Sequence, residues 1–177
     1  SKDYLAGNAP EDWIPLKPPA FYQEHSIAVE LRSDVIGIDA KARQVVIAGG
    51  RTAAFDKLLL ATGAEPVRLD IPGASASHVH VLRSLGDARA IIAQAKEARR
   101  AVVVGASFIG LEVAASLKTR GLEVHVVAPE RRPMERVLGP EFGDFVRGLH
   151  EEHGVIFHLE ETATAINGRN VELKGGA

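Results

Sequence analysis

A glycine-rich loop in the second half of the chain has the spacing that binds the pyrophosphate of a dinucleotide. It follows the GxGxxG pattern with serine at the middle glycine position, and its residues are Gly105, Ala106, Ser107, Phe108, Ile109 and Gly110. In such loops the first glycine permits a tight turn, the last permits close packing of helix on strand, and free N–H groups at the helix start bind phosphate. An apolar strand pattern precedes the loop and an amphipathic helix pattern follows it. We predict a dinucleotide-binding loop; the alternative is a glycine-rich turn that binds no ligand.

The residues that would contact the ribose of the nucleotide follow about 20 residues later. In many such sites the last residue of the second strand is acidic, but this position is near Ala128. Glu130 could bind a ribose hydroxyl, whereas Arg131 and Arg132 could bind a 2′-phosphate. A third alternative is that all three charges are simply solvated. We favour NAD over NADP as the nucleotide.

The elements around the loop alternate between strand and helix, as in a βαβ fold. Strand and helix patterns alternate over residues 101–104, 108–119, 122–128, 142–149 and 155–159. An earlier helix begins after Ser84, which with Asp87 resembles a capping box. Asn167-Gly168 indicates a β-hairpin after the third strand. These patterns predict a Rossmann-like βαβ domain.

The first half of the chain has a different pattern. Its first 25 residues are rich in proline and predict loops around one or two short helices. Alternating apolar residues from Ser26 to Phe55, including the segment 27–31, predict an antiparallel meander. The apolar run Lys57–Ala61 predicts a buried strand that stops at Thr62-Gly63. We therefore predict an α/β protein in which the meander and the buried strand precede the βαβ domain, with a boundary near His80.

The composition excludes several classes of function. Of the 177 residues, 46% are apolar and 25% are charged, which is typical of a folded globular protein. The net charge of −2 argues against a nucleic-acid partner or an anionic membrane, and no apolar run approaches the ~18 residues that cross a bilayer. The sequence contains no cysteine, and its seven histidines lack the spacing of metal ligands. We expect no metal site and a cytoplasmic location.

Five segments resemble, in order and spacing, the FAD-dependent, NADH-linked ferredoxin reductases. They are Ser1–Leu5, Asp56–Pro66, Ile71–Gly73, Val81–Leu85 and Val104–Glu112. These reductases include the putidaredoxin and rubredoxin reductase types, belong with the pyridine nucleotide-disulphide oxidoreductases, and are similar to apoptosis-inducing factor. The resemblance implies that NADH reduces FAD and that electrons pass to a [2Fe-2S] ferredoxin-type acceptor. Two alternatives stay open: a subunit of an NADH oxidase, nitrite reductase or CoA-disulfide reductase, or an NADH-binding redox signalling protein like apoptosis-inducing factor.

The resemblance also implies roles for individual residues. Lys2 matches the lysine beside the flavin ring, where a cation stabilises the reduced flavin, and Glu112 matches the acid that meets the nicotinamide end of NADH. Contacts with FAD are implied for the backbone of Val35, for Arg83, and for the turn made by Ala61, Thr62 and Gly63.

The resemblance further implies which parts of such an enzyme the sequence represents. In the resembling enzymes the FAD-pyrophosphate loop precedes the position of Ser1, and the rest of the FAD site and the interface domain follow that of Ala177. Residues 1–80 then match part of the FAD-binding domain, and residues 81–177 match an NAD(H)-binding domain incomplete at its C-terminal end. We expect this central fragment to be inactive, to lose FAD and to self-associate, with a homo-oligomer as one outcome. A cysteine just before Ser1 would instead indicate a disulfide reductase.

Overall fold

The computed structural model describes residues 2–176. Within this range the chain forms two compact units, one of residues 2–14 and 65–176 and a smaller one of residues 15–64. The described strands form a three-stranded antiparallel sheet, a three-stranded parallel sheet and a two-stranded hairpin. The prediction of an α/β protein with antiparallel strands and a Rossmann-like parallel sheet is therefore confirmed.

The N-terminal segment of the larger unit forms two short helical elements, and a third lies at Pro19–Glu24 in the smaller unit, whereas the sequence predicts one or two over the first 25 residues. Helix α1 spans Lys2–Ala6, and a 3-10 turn spans Glu11–Trp13. Leu5 is the residue that α1 buries, with 2% of its surface exposed. Ser1, which begins the first of the five resembling segments, lies outside the described residues.

The smaller unit consists of one helix and the antiparallel sheet. Its elements are α2 (Pro19–Glu24), β1 (Val35–Asp39), β2 (Gln44–Ile47) and β3 (Arg51–Ala54). The strand order is β1-β2-β3 and both pairs are antiparallel, so the predicted meander is present. In the first turn the Asp39 carboxylate accepts the N–H groups of Lys41 and Ala42 at 3.0 and 2.8 Å. This side chain thereby stabilises the reversal of the chain.

Two segments that the pattern assigns to strands are irregular in the structure. Within the described residues, neither 27–31 nor 57–61 pairs with another strand. Leu31 and Leu59 are 80% and 87% exposed. A buried strand needs neighbours that satisfy its backbone hydrogen bonds and cover its faces. The prediction of a strand at 27–31 is wrong, and Lys57–Ala61 lies exposed rather than in a sheet.

The larger unit contains the alternating part of the fold. Its elements are α3 (Leu85–Ala95), β4 (Arg100–Val104), α4 (Phe108–Thr119), β5 (Glu123–Ala128), α5 (Glu135–Leu138), α6 (Pro140–Glu152) and β6 (Val155–Leu159). The three strands form a parallel sheet in the order β4-β5-β6, as predicted. Val104 pairs with Val127, and Ala128 pairs with Leu159. The C-terminal ends of all three strands therefore lie at one edge of the sheet.

The core of the larger unit lies between α4 and the parallel sheet. Ala114 and Leu117 of α4 pack with Val124, Val126 and Val155, and none of the five is more than 5% exposed. Alternate residues of a strand point to opposite faces of a sheet, so β5 directs two valines toward α4. Burial of these apolar side chains holds α4 against the sheet.

Helix α3 begins at a capping box, as the sequence predicts. Ser84 Oγ accepts the N–H of Asp87 at 3.1 Å, and Asp87 Oδ2 accepts the N–H of Ser84 at 2.7 Å. The hydrogen bonds from the backbone N–H groups of Ser84 and Arg83 lower the pKa of the Asp87 carboxyl, because they stabilise its charged form. The helix start is thus fixed by reciprocal bonds.

An ion pair joins α3 to the N-terminal segment. Arg89 Nε donates to Glu11 Oε2 at 2.9 Å, and its Nη2 donates to Glu11 Oε1. Tyr4 OH donates to Glu11 Oε2 at 2.7 Å. The Arg89 guanidinium, assisted by the Tyr4 hydroxyl, lowers the pKa of Glu11 to about 2. One carboxylate therefore connects α1, the 3-10 turn and α3.

The chain ends in the predicted hairpin. Strand β7 spans Ala163–Asn167 and β8 spans Asn170–Leu173. Asn167 pairs with Asn170 across the turn, in which Gly168 has a φ of +60°. The predicted domain boundary near His80 stays a prediction.

Two glycines of α6 provide a matched test of how tightly this helix packs. A Cβ on Gly143 would lie 2.8 Å from Pro133 O and 2.9 Å from Arg132 Cβ, whereas a Cβ on Gly148 meets open space. We expect Gly143→Ala to lower the free energy of unfolding by about 1–2 kcal/mol through overpacking. Gly148→Ala should raise it by up to about 1 kcal/mol, because alanine favours the helix. Urea unfolding of both variants checks this, and equal effects would contradict the described packing.

The Glu11 carboxyl makes part of the stability depend on pH. Its folded-state pKa is lowered from 4.5 to about 2, so the ion pair stabilises the fold above pH 4.5 and loses this effect as the pH falls toward 2. We expect the stability difference between the wild type and Arg89→Gln to shrink across that interval. Carbon-13 NMR of the Glu11 carboxyl should give a midpoint near 2 in the wild type and a higher one in the variant, in which only the Tyr4 hydroxyl still lowers the pKa. The exposed control Arg99→Gln should leave the midpoint unchanged, and a Glu11 midpoint near 4.5 in the wild type would refute the pairing.

Candidate dinucleotide site

The glycine loop connects β4 to α4 in a conformation that requires glycine at both ends of the motif. Gly105 has a φ of +109°, which L side chains rarely adopt, and its N–H donates to Val127 O at 2.8 Å. A Cβ on Gly110 would lie 2.1 Å from Gly105 O. Helix α4 therefore begins in direct contact with the turn, as the dinucleotide motif predicts.

The start of α4 leaves backbone N–H groups open. Ser107 occupies the N-cap position, and within the described chain its side chain accepts no hydrogen bond from the helix. Ala106 is buried, whereas Phe108 and Ile109 are more than half exposed. The first N–H groups of a helix have no partner inside it and, together with the helix dipole, attract anions. The loop therefore fits a pyrophosphate group.

The loop that follows β5 contacts the glycine loop. Met134 N–H donates to Ala106 O at 3.0 Å, which holds the two loops together. Ala128, at the end of β5, is fully buried. The Glu130 carboxylate lies 3.5 Å from Arg136 Nε, and a quarter of this glutamate side chain is exposed. Glu130 is thus the acid nearest along the chain to the position where a ribose-binding acid is expected.

Arginines line a cavity of about 510 Å³ beside this second loop. Arg131, Arg132 and Arg147 all contribute to its wall. Arg132 Nε donates to Asp144 Oδ1 at 2.7 Å, Arg132 Nη1 lies 3.3 Å from Glu135 Oε1, and Asp144 raises the pKa of this guanidinium. Arg131 is exposed. Carboxylates of the protein therefore bind Arg132, while the charge of Arg131 faces solvent.

Lys2 and Glu112 form an ion pair near the start of α4. Lys2 Nζ lies 3.9 Å from Glu112 Oε1, and the side chains are 61% and 55% exposed. Both residues line a cavity of about 320 Å³ whose wall also includes Phe108, Met134 and His150. The structure thus brings together the two residues for which the resemblance implies contact with the reacting groups.

The remaining residues predicted to bind FAD belong to other segments of the chain. In the smaller unit, Val35 is a half-exposed residue of β1, and Ala61, Thr62 and Gly63 form an exposed irregular segment in which Gly63 has a φ of +76°. In the larger unit, Arg83 precedes α3, and its side chain is exposed. Their roles in binding FAD stay predictions.

The residues that hold α1 against α4 are not among those that the sequence motifs indicate. Ser116 is 4% exposed, and its Oγ lies 3.3 Å from Lys2 O. Arg120 donates to Leu5 O. Glu112, Ser116 and Arg120 recur every four residues, a spacing that puts them on one face of a helix. That spacing is the signal that could have identified them.

In the described part of the chain, six of the seven histidine side chains, all except that of His78, form hydrogen bonds. His125 Nδ1 lies 2.8 Å from His158 Nε2, and His125 Nε2 lies 2.8 Å from Glu123 Oε1. Among residues 2–176, no group of three or more potential ligand residues is arranged to hold a metal ion. In the same range, no helix has the length and apolar character needed to span a membrane.

Comparison with known proteins finds that this chain is similar to parts of several reductases. Rhodocoxin reductase from Rhodococcus erythropolis is 35% identical over 99% of this chain and 41% of its own length. Rubredoxin-NAD(+) reductase from Pseudomonas putida is 38% identical over 96% of this chain and 44% of its own length. The crystal structure of a ferredoxin reductase from Rhodopseudomonas palustris matches with a TM-score of 0.89 and 32% identity, over 98% of this chain and 44% of that one.

The chain spans somewhat over 40% of the length of these relatives. The family model described as pyridine nucleotide-disulphide oxidoreductase matches residues 2–177. This match extends over both compact units and includes the glycine loop, Lys2 and Glu112. The chain therefore belongs to the pyridine nucleotide-disulphide oxidoreductase family.

Proposed function

We propose that the intact protein transfers a hydride from NADH to FAD and then passes electrons to a [2Fe-2S] ferredoxin-type acceptor. The observation that carries this proposal is the Lys2–Glu112 pair, which lies in one cavity with Phe108 of the glycine loop. Family membership supports an oxidoreductase. The similar reductases are named after rhodocoxin, rubredoxin and ferredoxin. These names support an acceptor of the ferredoxin type.

The glycine loop is proposed to hold the pyrophosphate of NADH. Gly105 allows the turn, Gly110 allows the close approach of α4, and the open N–H groups at the helix start supply donors for the phosphate oxygens. Glu130 is proposed to accept hydrogen bonds from the ribose hydroxyls. The exposed Arg131 is the group that would favour a 2′-phosphate, and it is the reason to test NADPH beside NADH.

Lys2 and Glu112 are proposed to act where the nicotinamide and the flavin meet. When bound, FAD supplies the ring that accepts the hydride. The Lys2 ammonium would stabilise the negative charge that develops there, since an oriented cation lowers the energy of nearby anionic groups. Glu112, at 3.9 Å, would orient this ammonium and contact the nicotinamide end of NADH.

The proposed contacts with FAD are distributed over several segments. In the smaller unit they are the backbone of Val35 and the segment Ala61, Thr62 and Gly63, and in the larger unit they are Lys2 and Arg83. The chain has one GxGxxG-type loop, and we assign that loop to NADH.

Isothermal titration of the 177-residue chain with NADH and with NADPH tests the nucleotide site. We expect NADH to bind more tightly, and Glu130→Gln to weaken NADH by roughly tenfold, because a hydrogen bond to a charged group is worth about 1.5–3 kcal/mol. Arg131→Ala should leave NADH binding unchanged, as should Arg169→Ala, which removes an equal charge from the hairpin turn.

Tighter binding of NADPH that is lost in Arg131→Ala would overturn the choice of nucleotide. Failure of both nucleotides to bind would overturn the assignment of the glycine loop. Since these two results differ, the titration distinguishes a wrong choice of nucleotide from a wrong assignment of the glycine loop.

We expect the 177-residue chain, purified alone, to retain no FAD and to have no reductase activity. The proposed FAD contacts are scattered and lack a pyrophosphate-binding helix start of their own, which is a principal anion site in dinucleotide-binding folds. Visible absorbance, together with chromatography of flavin released by denaturation, measures this directly. Stoichiometric FAD in the purified chain would show that the glycine loop or another described segment serves the flavin.

A further inference from the structure

Three residues on one face of α4 each contact α1. Glu112, Ser116 and Arg120 are spaced four residues apart, so they follow one another along the helix surface. Glu112 pairs with the Lys2 ammonium at 3.9 Å. Ser116 Oγ lies 3.3 Å from Lys2 O and 2.8 Å from Glu112 O, and therefore touches the backbone of both partners. Arg120 reaches the other end of α1.

Arg120 binds the C-terminal end of α1. Its Nε donates to Leu5 O, and its Nη2 lies 3.4 Å from Tyr4 O. The last carbonyl groups of a helix accept no hydrogen bond from within the helix. The helix dipole also favours a cation near them. Hydrogen bonds from a charged donor are also stronger than neutral ones, and the planar guanidinium can reach two acceptors together.

Helix α1 depends on such contacts for its position. It has five residues, far fewer than the roughly 12–15 that a helix needs to be stable by itself in water. Leu5 anchors it by burial, but Lys2 at its first position is 61% exposed, and the ion pair with Glu112 joins its side chain to α4. The place of the Lys2 ammonium is therefore set by the backbone of α1, which Ser116 and Arg120 hold.

We propose that Arg120, together with Ser116, is a positioning residue that keeps Lys2 beside Glu112. The importance of this pair for hydride transfer rests on the proposed function. The placement itself does not, because the distance between the two side chains can be measured in the chain without cofactors. Arg120 contacts neither member of the pair, so it would act only through the backbone of α1.

Zero-length cross-linking with a water-soluble carbodiimide tests this placement in the 177-residue chain. The reagent joins an amine to a carboxylate in contact with it as an amide, and the oxygen removed leaves as the urea. Tandem mass spectrometry of the digested protein should find an amide between Lys2 Nζ and the Glu112 carboxyl. We expect Arg120→Gln to lower its yield by roughly tenfold, the population shift that follows from losing a charged hydrogen bond.

Matched variants identify the cause of any change. Glu112→Gln should abolish the cross-link, and Arg120→Lys should restore part of the yield, because it keeps the charge and loses the planar fork. Arg100→Gln, which removes from β4 the guanidinium that bonds Glu123 of β5 at 2.6 Å, should leave the yield unchanged. Ser116→Ala should lower the yield less than Arg120→Gln does, and it decides the question if Arg120→Gln does not fold.

Circular dichroism and thermal unfolding of the same samples separate positioning from general stability. A lower melting temperature with a wild-type yield of the cross-link, in Arg120→Gln or in Ser116→Ala, would overturn the proposal. The proposed function fails by a different result, namely absence of nucleotide binding while the cross-link between Lys2 and Glu112 forms normally.

Discussion

The close contact between Gly110 and Gly105 O determines where α4 lies, and most of the candidate site follows from that position. Because a Cβ at residue 110 would lie 2.1 Å from this oxygen, only the missing side chain lets the helix begin against the turn. The approach directs the first N–H groups of α4 at the loop. It also sets the rotation of the helix, so that Glu112, Ser116 and Arg120 face α1.

The second loop is held by a hydrogen bond to the glycine loop and by contacts with α6. Met134 N–H binds Ala106 O, while the Arg132 guanidinium binds Asp144 of α6. Gly143 on the same helix leaves room for the backbone at Pro133, since a Cβ there would lie 2.8 Å from its oxygen. The segment that carries Glu130 and Arg131 is therefore held from both sides, so a fixed backbone presents the partly buried Glu130 carboxylate and the exposed Arg131 guanidinium.

Features that depend on contacts close in the sequence could be predicted from it. The glycine loop, the Ser84–Asp87 capping box and the hairpin at Asn167-Gly168 each involve residues within a few positions, so their local chemistry is visible in the residue types. The segment 57–61 shows the opposite case. Its apolar run is typical of a buried strand, but a strand forms only beside another strand, and no pattern within the run can supply one.

In the candidate site, too, residues within short motifs could be predicted from the sequence, whereas the contacts between the motifs could not. The residue types and order of the resembling segments indicate Lys2 and Glu112, because each belongs to a short motif. The contacts that bring the two motifs together join residues more than a hundred positions apart, as Arg120 and Leu5 do. Such contacts depend on how α1 packs on α4, and periodicity within either helix does not reveal the other.

The exposure of the Lys2–Glu112 pair limits what it contributes to the stability of the fold. Exposed ion pairs contribute about 0–1 kcal/mol, and both side chains here are more than half exposed. The contacts that hold α1 are instead the buried Leu5 side chain, the Arg120 guanidinium on the helix carbonyls and the buried Ser116 hydroxyl. Because these groups fix the backbone, the ion pair of the Lys2 side chain adds little to holding α1 in place. Its ammonium is left open to solvent at the wall of a cavity, where a bound anionic group can approach it.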